Sequence, residues 1–74
     1  MTAIVLTRID ATQNMQRFYK LDVQPDLFGG WSLIREWGRL GRAGQVRMEN
    51  YPTRGTADLA MVGHYTRKAR KGYH

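Results

Sequence analysis

The alternation of apolar and polar residues between positions 17 and 51 constrains the fold of this sequence more than any other feature. Three stretches alternate with a period of two: Arg17 to Gln24, Trp31 to Trp37 and Gln45 to Tyr51. Because successive side chains of a strand point to opposite faces of a sheet, this period indicates half-buried strands. Segments rich in glycine, proline and polar residues separate the stretches, as turns do. The sequence therefore predicts consecutive strands of a meander.

A fourth strand and one helix complete the prediction. Ala3 to Ile9 is β-branched, short and too apolar to alternate cleanly, which predicts a strand that is covered on both faces. After the last strand the pattern becomes helical, from about Thr53 or Thr56 to a glycine cap at Gly72. The face predicted to meet the sheet holds Ala57, Ala60, Met61, His64, Tyr65 and Lys68. The fold class is α+β: a four-stranded antiparallel β-sheet with one C-terminal α-helix packed on one face.

Two connections between strands carry glycine. Pro25 to Gly30 joins the second strand to the third, and its last two residues are both glycine. Gly41 to Gly44 joins the third strand to the fourth as a hairpin turn, with glycine at both ends to take the strained dihedral angles. We expect Leu27 and Phe28 to pin the first of these connections to the core.

The size of the chain limits its core. Its 74 residues form one predicted domain, 1–74, which buries only roughly 60% of its unfolded surface. The absence of cysteine excludes disulfides and thiolate metal sites and fits a reducing compartment. The first ten residues show neither the pattern of a signal peptide nor that of a membrane span, so we expect a cytoplasmic protein.

The positive charge of the sequence is concentrated in its second half. The formal net charge is +6, and nine of the twelve basic residues are arginine. Residues 1–34 carry three basic and three acidic groups, so the whole excess lies beyond them. The planar fork of arginine suits phosphate, and a basic half in a small domain suggests a polyanion as partner. A basic surface that only keeps the domain dissolved is the alternative explanation.

Catalytic chemistry has no support in the sequence. Ser32 is the only serine and lies inside a predicted strand, and His64 and His74 are too far apart in sequence for the usual metal-ligand spacing. The six acidic residues are scattered without a pair that suggests acid–base work. We therefore expect no enzyme, no catalytic residue, no metal and no cofactor.

The tripeptide Trp37-Gly38-Arg39 is the best candidate for a binding element. Arginine donates paired hydrogen bonds to phosphate, glycine lets a backbone approach a ligand, and a tryptophan ring stacks on a base or sugar. The alternative is structural: a core tryptophan, a turn glycine and a solvated arginine. The spacing alone does not decide between the two, nor does it tell which way Trp37 points.

An ordered set of residues resembles a known family. The set comprises Asn14 before the second strand, Phe18-Tyr19, Trp31, the motif Trp37-Gly38-Arg39-x-Gly41, the late helix, and the basic tail that ends in Gly72-Tyr73. It is similar to the WGR domain, a family named for this tripeptide. That domain is best known as a module of the DNA-dependent poly(ADP-ribose) polymerases and also occurs as small free-standing bacterial proteins.

The resemblance implies a non-catalytic nucleic-acid module, which in the polymerases binds DNA breaks near the 5′ end. By resemblance, Trp37 packs on the sugar or base at the break, and Arg39 braces the DNA contact or, in the polymerases, a neighbouring domain. Tyr73 stands at the position of a late family aromatic, where it packs under the motif or reaches phosphate. The polymerase domains continue with a further strand, so a five-stranded sheet is the alternative. Because the sequence contains no ADP-ribosyl transferase domain, we expect the binding role without the relay to a catalytic domain.

The predicted nucleic-acid site combines the hairpin with the basic end of the helix. Its residues are Trp37, Gly38, Arg39, Arg42, Arg47, Arg67, Lys68, Arg70, Lys71 and Tyr73. DNA is expected ahead of RNA, and DNA ends are one candidate form of it. The alternative is a protein-interaction or regulatory accessory module, in which the same arginine and tryptophan side chains hold an acidic partner. Neither a membrane nor a small-molecule substrate is expected.

Overall fold

Four antiparallel strands follow one another across a single sheet in the order of the chain, and one helix packs on one face. The computed structural model describes residues 2–74, and Met1 lies outside the described residues. The elements are β1 (Thr2–Asp10), a 3-10 turn (Ala11–Gln13), β2 (Met15–Pro25), β3 (Trp31–Arg39), β4 (Gln45–Tyr51) and α1 (Arg54–Arg70). This architecture confirms the predicted α+β class and the four-stranded sheet.

The register of β2 and β3 decides which side chains share the face under the helix. Tyr19 lies opposite Trp37, and Val23 lies opposite Leu33. Helix α1 packs mainly across these two strands, since they form the middle of the sheet. The buried core consists of Leu6, Tyr19, Leu21, Val23, Leu33, Ala57, Met61 and Tyr73.

The opposite face of the sheet is open within the described residues. Val5 on β1 is 59% exposed and Ile9 is also exposed, so the prediction that this strand is covered on both faces was wrong. The reason is that one helix can cover only one face of a sheet. Strand β1 therefore buries Leu6 on one side and presents apolar residues to solvent on the other.

The sequence predicted that Leu27 and Phe28 pin their loop to the core, and this prediction was wrong. They are 96% and 94% exposed. The Asp26 side chain holds the turn instead, because its Oδ1 accepts hydrogen bonds from the backbone N–H groups of Phe28 (2.8 Å) and Gly30 (2.9 Å). A turn closed by its own polar side chain does not need a buried anchor, so the two apolar side chains stay outside.

Helix α1 begins at the first of the two predicted positions. Thr53 is the N-cap, and it forms a capping box with Thr56: each side chain accepts a hydrogen bond from the backbone N–H of the other residue. Ala57 and Met61 are buried against the sheet as predicted. Tyr65 is exposed, contrary to the prediction, because it lies at the margin of that face.

The chain turns back onto the sheet after the helix. Gly72 has a φ of 93° and follows the cap residue Lys71. The N–H of Gly72 donates to the carbonyl of Ala69 and that of Tyr73 to the carbonyl of Lys68, both at 3.1 Å, which is a Schellman motif. His74 then exchanges two backbone hydrogen bonds with Thr7 on β1, at 2.8 and 2.9 Å. This bridge is the only trace of a fifth strand in the described part of the chain.

Candidate nucleic-acid interface

A groove of about 810 Å³ runs along the side of the sheet where β2 begins and β3 ends. The register places Arg17 directly opposite Arg39. The next pair on the same face of these strands is Tyr19 and Trp37. The groove is lined by Gln13, Asn14, Met15, Gln16, Arg17, Trp37, Gly38, Arg39, Lys68 and Tyr73. It therefore combines two exposed guanidinium groups, an ammonium group and aromatic rings.

Trp37 lies between the core and this groove. It is half-buried, and its ring stacks on that of Tyr19 with centroids 6.0 Å apart and an interplanar angle of 20°. The guanidinium carbon of Arg35 lies over the indole ring, 5.5 Å from its centroid. The helix-side face of β3 thus holds the ring in one orientation, while its exposed part lines the groove.

Tyr73 reaches the groove from the C-terminal turn. It is buried, and its ring meets that of Tyr19 edge to face, with centroids 6.3 Å apart. The Schellman motif at Gly72 reverses the chain and brings this residue back over the sheet. Tyr73 therefore packs against Tyr19, the residue on which the ring of Trp37 stacks.

Lys68 lies over the aromatic rings at the bottom of the groove. Its ammonium group is 4.6 Å from the centroid of Tyr19 and 5.3 Å from that of Tyr73. Burial lowers the pKa of Lys68 from its usual value, and the charge of Lys71 lowers it further. The charges of Arg17 and Arg35 act in the same direction.

No carboxylate compensates the charge of Lys68 among the described residues. The ion pairs of this part of the chain join Arg35 to Glu49, Arg54 to Asp58 and His64 to Glu49, and none includes Lys68. A half-buried cation that is surrounded by other cations favours the approach of an anion. The positive charge at the groove therefore favours a negatively charged ligand.

The wall formed by the β1–β2 connection is held by local hydrogen bonds. Asp10 Oδ1 accepts from the backbone N–H of Thr12 (3.0 Å) and from its hydroxyl (2.6 Å). The same hydroxyl is the main reason why the pKa of Asp10 is lowered. Asn14 follows in the left-handed conformation, with a φ of 50°, which asparagine adopts more readily than most residues. These bonds fix Gln13 and Asn14 at the edge of the groove.

Gly38 lines the groove with its backbone only. A Cβ atom at this position would lie on the open face of the sheet, 2.9 Å from the Cα of Gly44 and 3.5 Å from Cε1 of Phe18. Glycine is therefore required here by the close approach of the two hairpin strands. The middle residue of the tripeptide serves packing, whereas its neighbours face the groove.

A second, smaller groove of about 290 Å³ continues from the first and shares Trp37 and Lys68 with it. It is lined by Tyr19, Arg35, Trp37, His64, Arg67, Lys68 and Lys71. Arg35 Nη1 donates to the hydroxyl of Tyr19 at 3.4 Å, and Arg35 Nε lies 3.4 Å from Glu49 Oε1. The basic lining of the first groove thus extends along the helix.

His64 lines the second groove and contacts both Arg67 and Glu49. Burial lowers the pKa of His64, and the charges of Arg35 and Arg67 add to this, against a smaller opposite effect of Glu49. Because a guanidinium group can only donate, the 3.0 Å hydrogen bond from Arg67 Nη2 is accepted by His64 Nδ1. The other nitrogen, Nε2, lies 3.6 Å from Glu49 Oε1.

The fold brings together only part of the predicted site. Seven predicted residues line the two grooves: Trp37, Gly38, Arg39, Arg67, Lys68, Lys71 and Tyr73. Arg42, Arg47 and Arg70 line neither groove; they lie in the hairpin turn, on the edge strand β4 and at the end of α1. Arg17, Tyr19 and Arg35 were missed, although their odd positions on alternating strands place them on the face of Trp37.

Neither a metal cluster nor a membrane-spanning helix occurs in the described residues. No group of three or more histidine or acidic side chains between residues 2 and 74 could hold a metal ion. In the same part of the chain, no helix has the length and hydropathy needed to cross a bilayer.

A four-stranded sheet with one helix, and with Trp37-Gly38-Arg39 in the wall of a basic groove, defines a small α+β domain. The sequence profile of the WGR domain family matches residues 2–74, and the chain belongs to this family. Over 70 residues it is 31% identical to the uncharacterized protein y4dW of Sinorhizobium fredii (strain NBRC 101917 / NGR234). The match covers 95% of this chain and 34% of that protein, so the chain spans about a third of this relative's length. No solved structure gave a significant match.

Proposed function

We propose that the chain binds nucleic acid, and DNA in particular, in the groove beside Trp37. The observation that carries this proposal is the placement of Lys68. Its ammonium group lies over two tyrosine rings, among other cations, and without a carboxylate partner in the described residues. A phosphate oxygen would supply the negative charge that this position lacks, because charge-assisted hydrogen bonds to phosphate are stronger than neutral ones.

The two arginines at the mouth of the groove fit the same ligand. Arg17 and Arg39 lie directly opposite each other on neighbouring strands, and both are exposed. Like charges in this arrangement destabilise a sheet. A phosphate between the two guanidinium groups would turn this repulsion into attraction and would accept paired hydrogen bonds.

Trp37 adds an aromatic surface at the same place. Stacking of a base on an aromatic side chain is worth roughly 1–3 kcal/mol per base and does not depend on the sequence of the nucleic acid. Membership of the WGR family supports the same class of ligand, since WGR domains of the poly(ADP-ribose) polymerases are nucleic-acid-binding modules. The proposal is therefore a sequence-tolerant contact with phosphate and sugar or base, and DNA ends are its candidate form.

The test is a fluorescence-anisotropy titration of a labelled DNA duplex with the wild type and three variants. Arg39→Ala and Lys68→Met should each weaken binding about tenfold or more, because each removes a charged hydrogen bond worth roughly 1.5–3 kcal/mol. Arg54→Ala is the matched control: it changes the net charge by the same amount at the opposite end of α1 and should change the affinity little. Equal losses in all three variants would contradict a defined groove.

Two further titrations distinguish between the candidate ligands. A duplex that carries a 5′ phosphate should bind more tightly than the same duplex without it if the groove takes DNA ends. An acidic polypeptide at the same charge concentration should compete poorly if nucleic acid is the ligand. Strong competition by the polypeptide, together with weak binding of every duplex and single strand, would favour an acidic protein partner instead.

A further inference from the structure

The two edges of the sheet differ in how they are closed. The outer edge of β1 receives the two backbone hydrogen bonds of His74 to Thr7. Strand β4 is the other edge, and no backbone hydrogen bond from another segment of the described residues reaches its outer side. Its outward N–H and C=O groups are therefore a template on which another strand can add.

Strand β4 also lacks several of the features that usually protect an edge. It pairs with β3 without a bulge, from Gln45 opposite Trp37 to Tyr51 opposite Trp31. It contains neither proline nor lysine. Its apolar residues, Val46 and Met48, lie on the open face and are both more than half exposed. This edge is regular, seven residues long and apolar on one side.

The charges on the other side of β4 are not balanced within the chain. Arg47 lies directly opposite Arg35 of β3, which places like charges across the ladder. Arg35 is paired with Glu49, and Arg47 forms no ion pair with any residue that the structure describes. Arg47, which is exposed, is therefore placed to meet a carboxylate of a partner on the outer side of the strand.

We propose that β4 pairs in antiparallel fashion with β4 of a second copy of the chain, with Met48 opposite Met48. This register sets Arg47 opposite Glu49 of the second copy, and Glu49 opposite its Arg47, so opposite charges meet twice. A shift by two residues in one direction brings Arg47 opposite Arg47, and in the other direction Glu49 opposite Glu49. The charges therefore select one register, as cross-strand pairs do in sheets.

The symmetry of this pairing fixes the relative orientation of the two copies. Antiparallel neighbours in one sheet are related by a twofold axis normal to the sheet, which makes the contact isologous. Both helices, and with them both basic grooves, then lie on the same side of an eight-stranded sheet. One long polyanion could engage both grooves, and such bivalent binding strengthens the overall affinity without any new contact.

The pairing also extends an apolar groove on the open face. Leu27, Phe28, Ile34 and Met48 contribute to the lining of a groove of about 350 Å³ that ends at Asn50. In the proposed register, Val46 of the second copy lies opposite Asn50. Its exposed side chain would lengthen the apolar wall at that end and remove apolar surface of both copies from water.

The oligomeric state tests this proposal. Sedimentation equilibrium over a range of concentrations should give a dimer mass for the wild type. Met48→Lys should give a monomer, because two lysines then meet at the centre of the pairing. Val5→Lys is the matched control, since Val5 is 59% and Met48 60% exposed on the same face of opposite edge strands. It should leave the dimer intact.

A charge exchange tests the register itself. Arg47→Glu and Glu49→Arg should each be monomeric alone, because like charges then oppose twice, and an equimolar mixture should restore the dimer mass. Circular dichroism and thermal unfolding confirm that each variant is folded. If Glu49→Arg does not fold, Arg47→Glu and Met48→Lys decide alone. A wild type that stays monomeric up to its solubility limit, or a dimer that survives Met48→Lys, would overturn the proposal.

Discussion

Trp37 contributes to the core and, in the proposed function, to the binding surface. Its ring stacks on Tyr19, which is fully integrated in the core, and yet it also lines both basic grooves. The packing orders the ring before a ligand arrives, so little side-chain entropy remains to be lost on binding. The same packing means that removal of the ring affects stability as well as affinity. Arg39, which is exposed, is the more selective probe of binding.

At the scale of single residues, His64 predicts a dependence of stability on pH. Its pKa is lowered in the folded chain, so the unfolded chain binds the proton at a higher pH, close to the ordinary histidine value of 6.5. The free energy of unfolding should therefore fall as the pH drops below about 6.5, until the folded chain is protonated as well. Urea unfolding at pH 8, 6.5 and 5 measures this loss.

The control for this prediction is His64→Gln, which keeps a neutral acceptor for Arg67. Its free energy of unfolding should depend less steeply on pH between 6.5 and 5 than that of the wild type. Titrating carboxylates affect both proteins, so the difference between the two slopes isolates the histidine. Identical slopes would mean that the fold does not disfavour protonation of His64.

At the scale of elements, the hairpin of β3 and β4 depends on the close approach of its backbones. Gly38 and Gly44 face each other on the open side, and Phe18 packs beside both. A side chain at position 38 would collide with Gly44 and meet Phe18. This packing explains why the central residue of the tripeptide is glycine, without any reference to a ligand. Packing thus explains the central residue of the tripeptide, whereas Trp37 and Arg39 beside it line the groove.

Gly38→Ala should lower the free energy of unfolding by about 1–3 kcal/mol, since its Cβ would lie 2.9 Å from the backbone of Gly44. Gly63→Ala in the middle of α1 is the matched substitution. Its Cβ would meet only the flexible end of Arg67 at 3.6 Å, and alanine should stabilise the helix by roughly 0.5–1 kcal/mol. Chemical denaturation measures both. A neutral Gly38→Ala variant would show that the hairpin can widen freely.

At the scale of the whole molecule, the sheet separates two kinds of surface. The charged strand residues on the open face are Lys20, Asp22 and Glu36, of which two are negative. The positive excess of the chain therefore lies on the helix side and in the turns, where both basic grooves are found. Under the two proposals, the helix side of the sheet meets a polyanion and the β4 edge meets a second copy of the chain.

This arrangement predicts a strong dependence of nucleic-acid affinity on salt. If about four phosphates contact the grooves, the logarithm of the association constant should fall with the logarithm of the salt concentration with a slope of roughly −3 to −4. Lys68→Met should reduce that slope by about one. Titrations at several salt concentrations measure it, and an affinity insensitive to salt would be incompatible with phosphate contacts in the grooves.

The sequence by itself determined the elements of this protein, because periodicity and turn chemistry are local properties. The alternation from Arg17 to Tyr51 predicted three strands within two residues of their ends, and the threonine before the helix marked its start. The sequence also identified seven of the residues that line the two grooves, from the tripeptide and the basic helix end. These predictions needed no knowledge of which strand lies beside which.

Only the tertiary structure decided which side chains meet. The register of β2 and β3 places Arg17 opposite Arg39 and Tyr19 opposite Trp37. Hydrogen bonds between segments that are distant in sequence fix this register. The position of Tyr73 depends on the Schellman motif, which reverses the chain and returns it to the sheet. Leu27 and Phe28 show that hydrophobicity alone does not predict burial. Both are apolar, but no element of the described fold covers them, and they stay exposed.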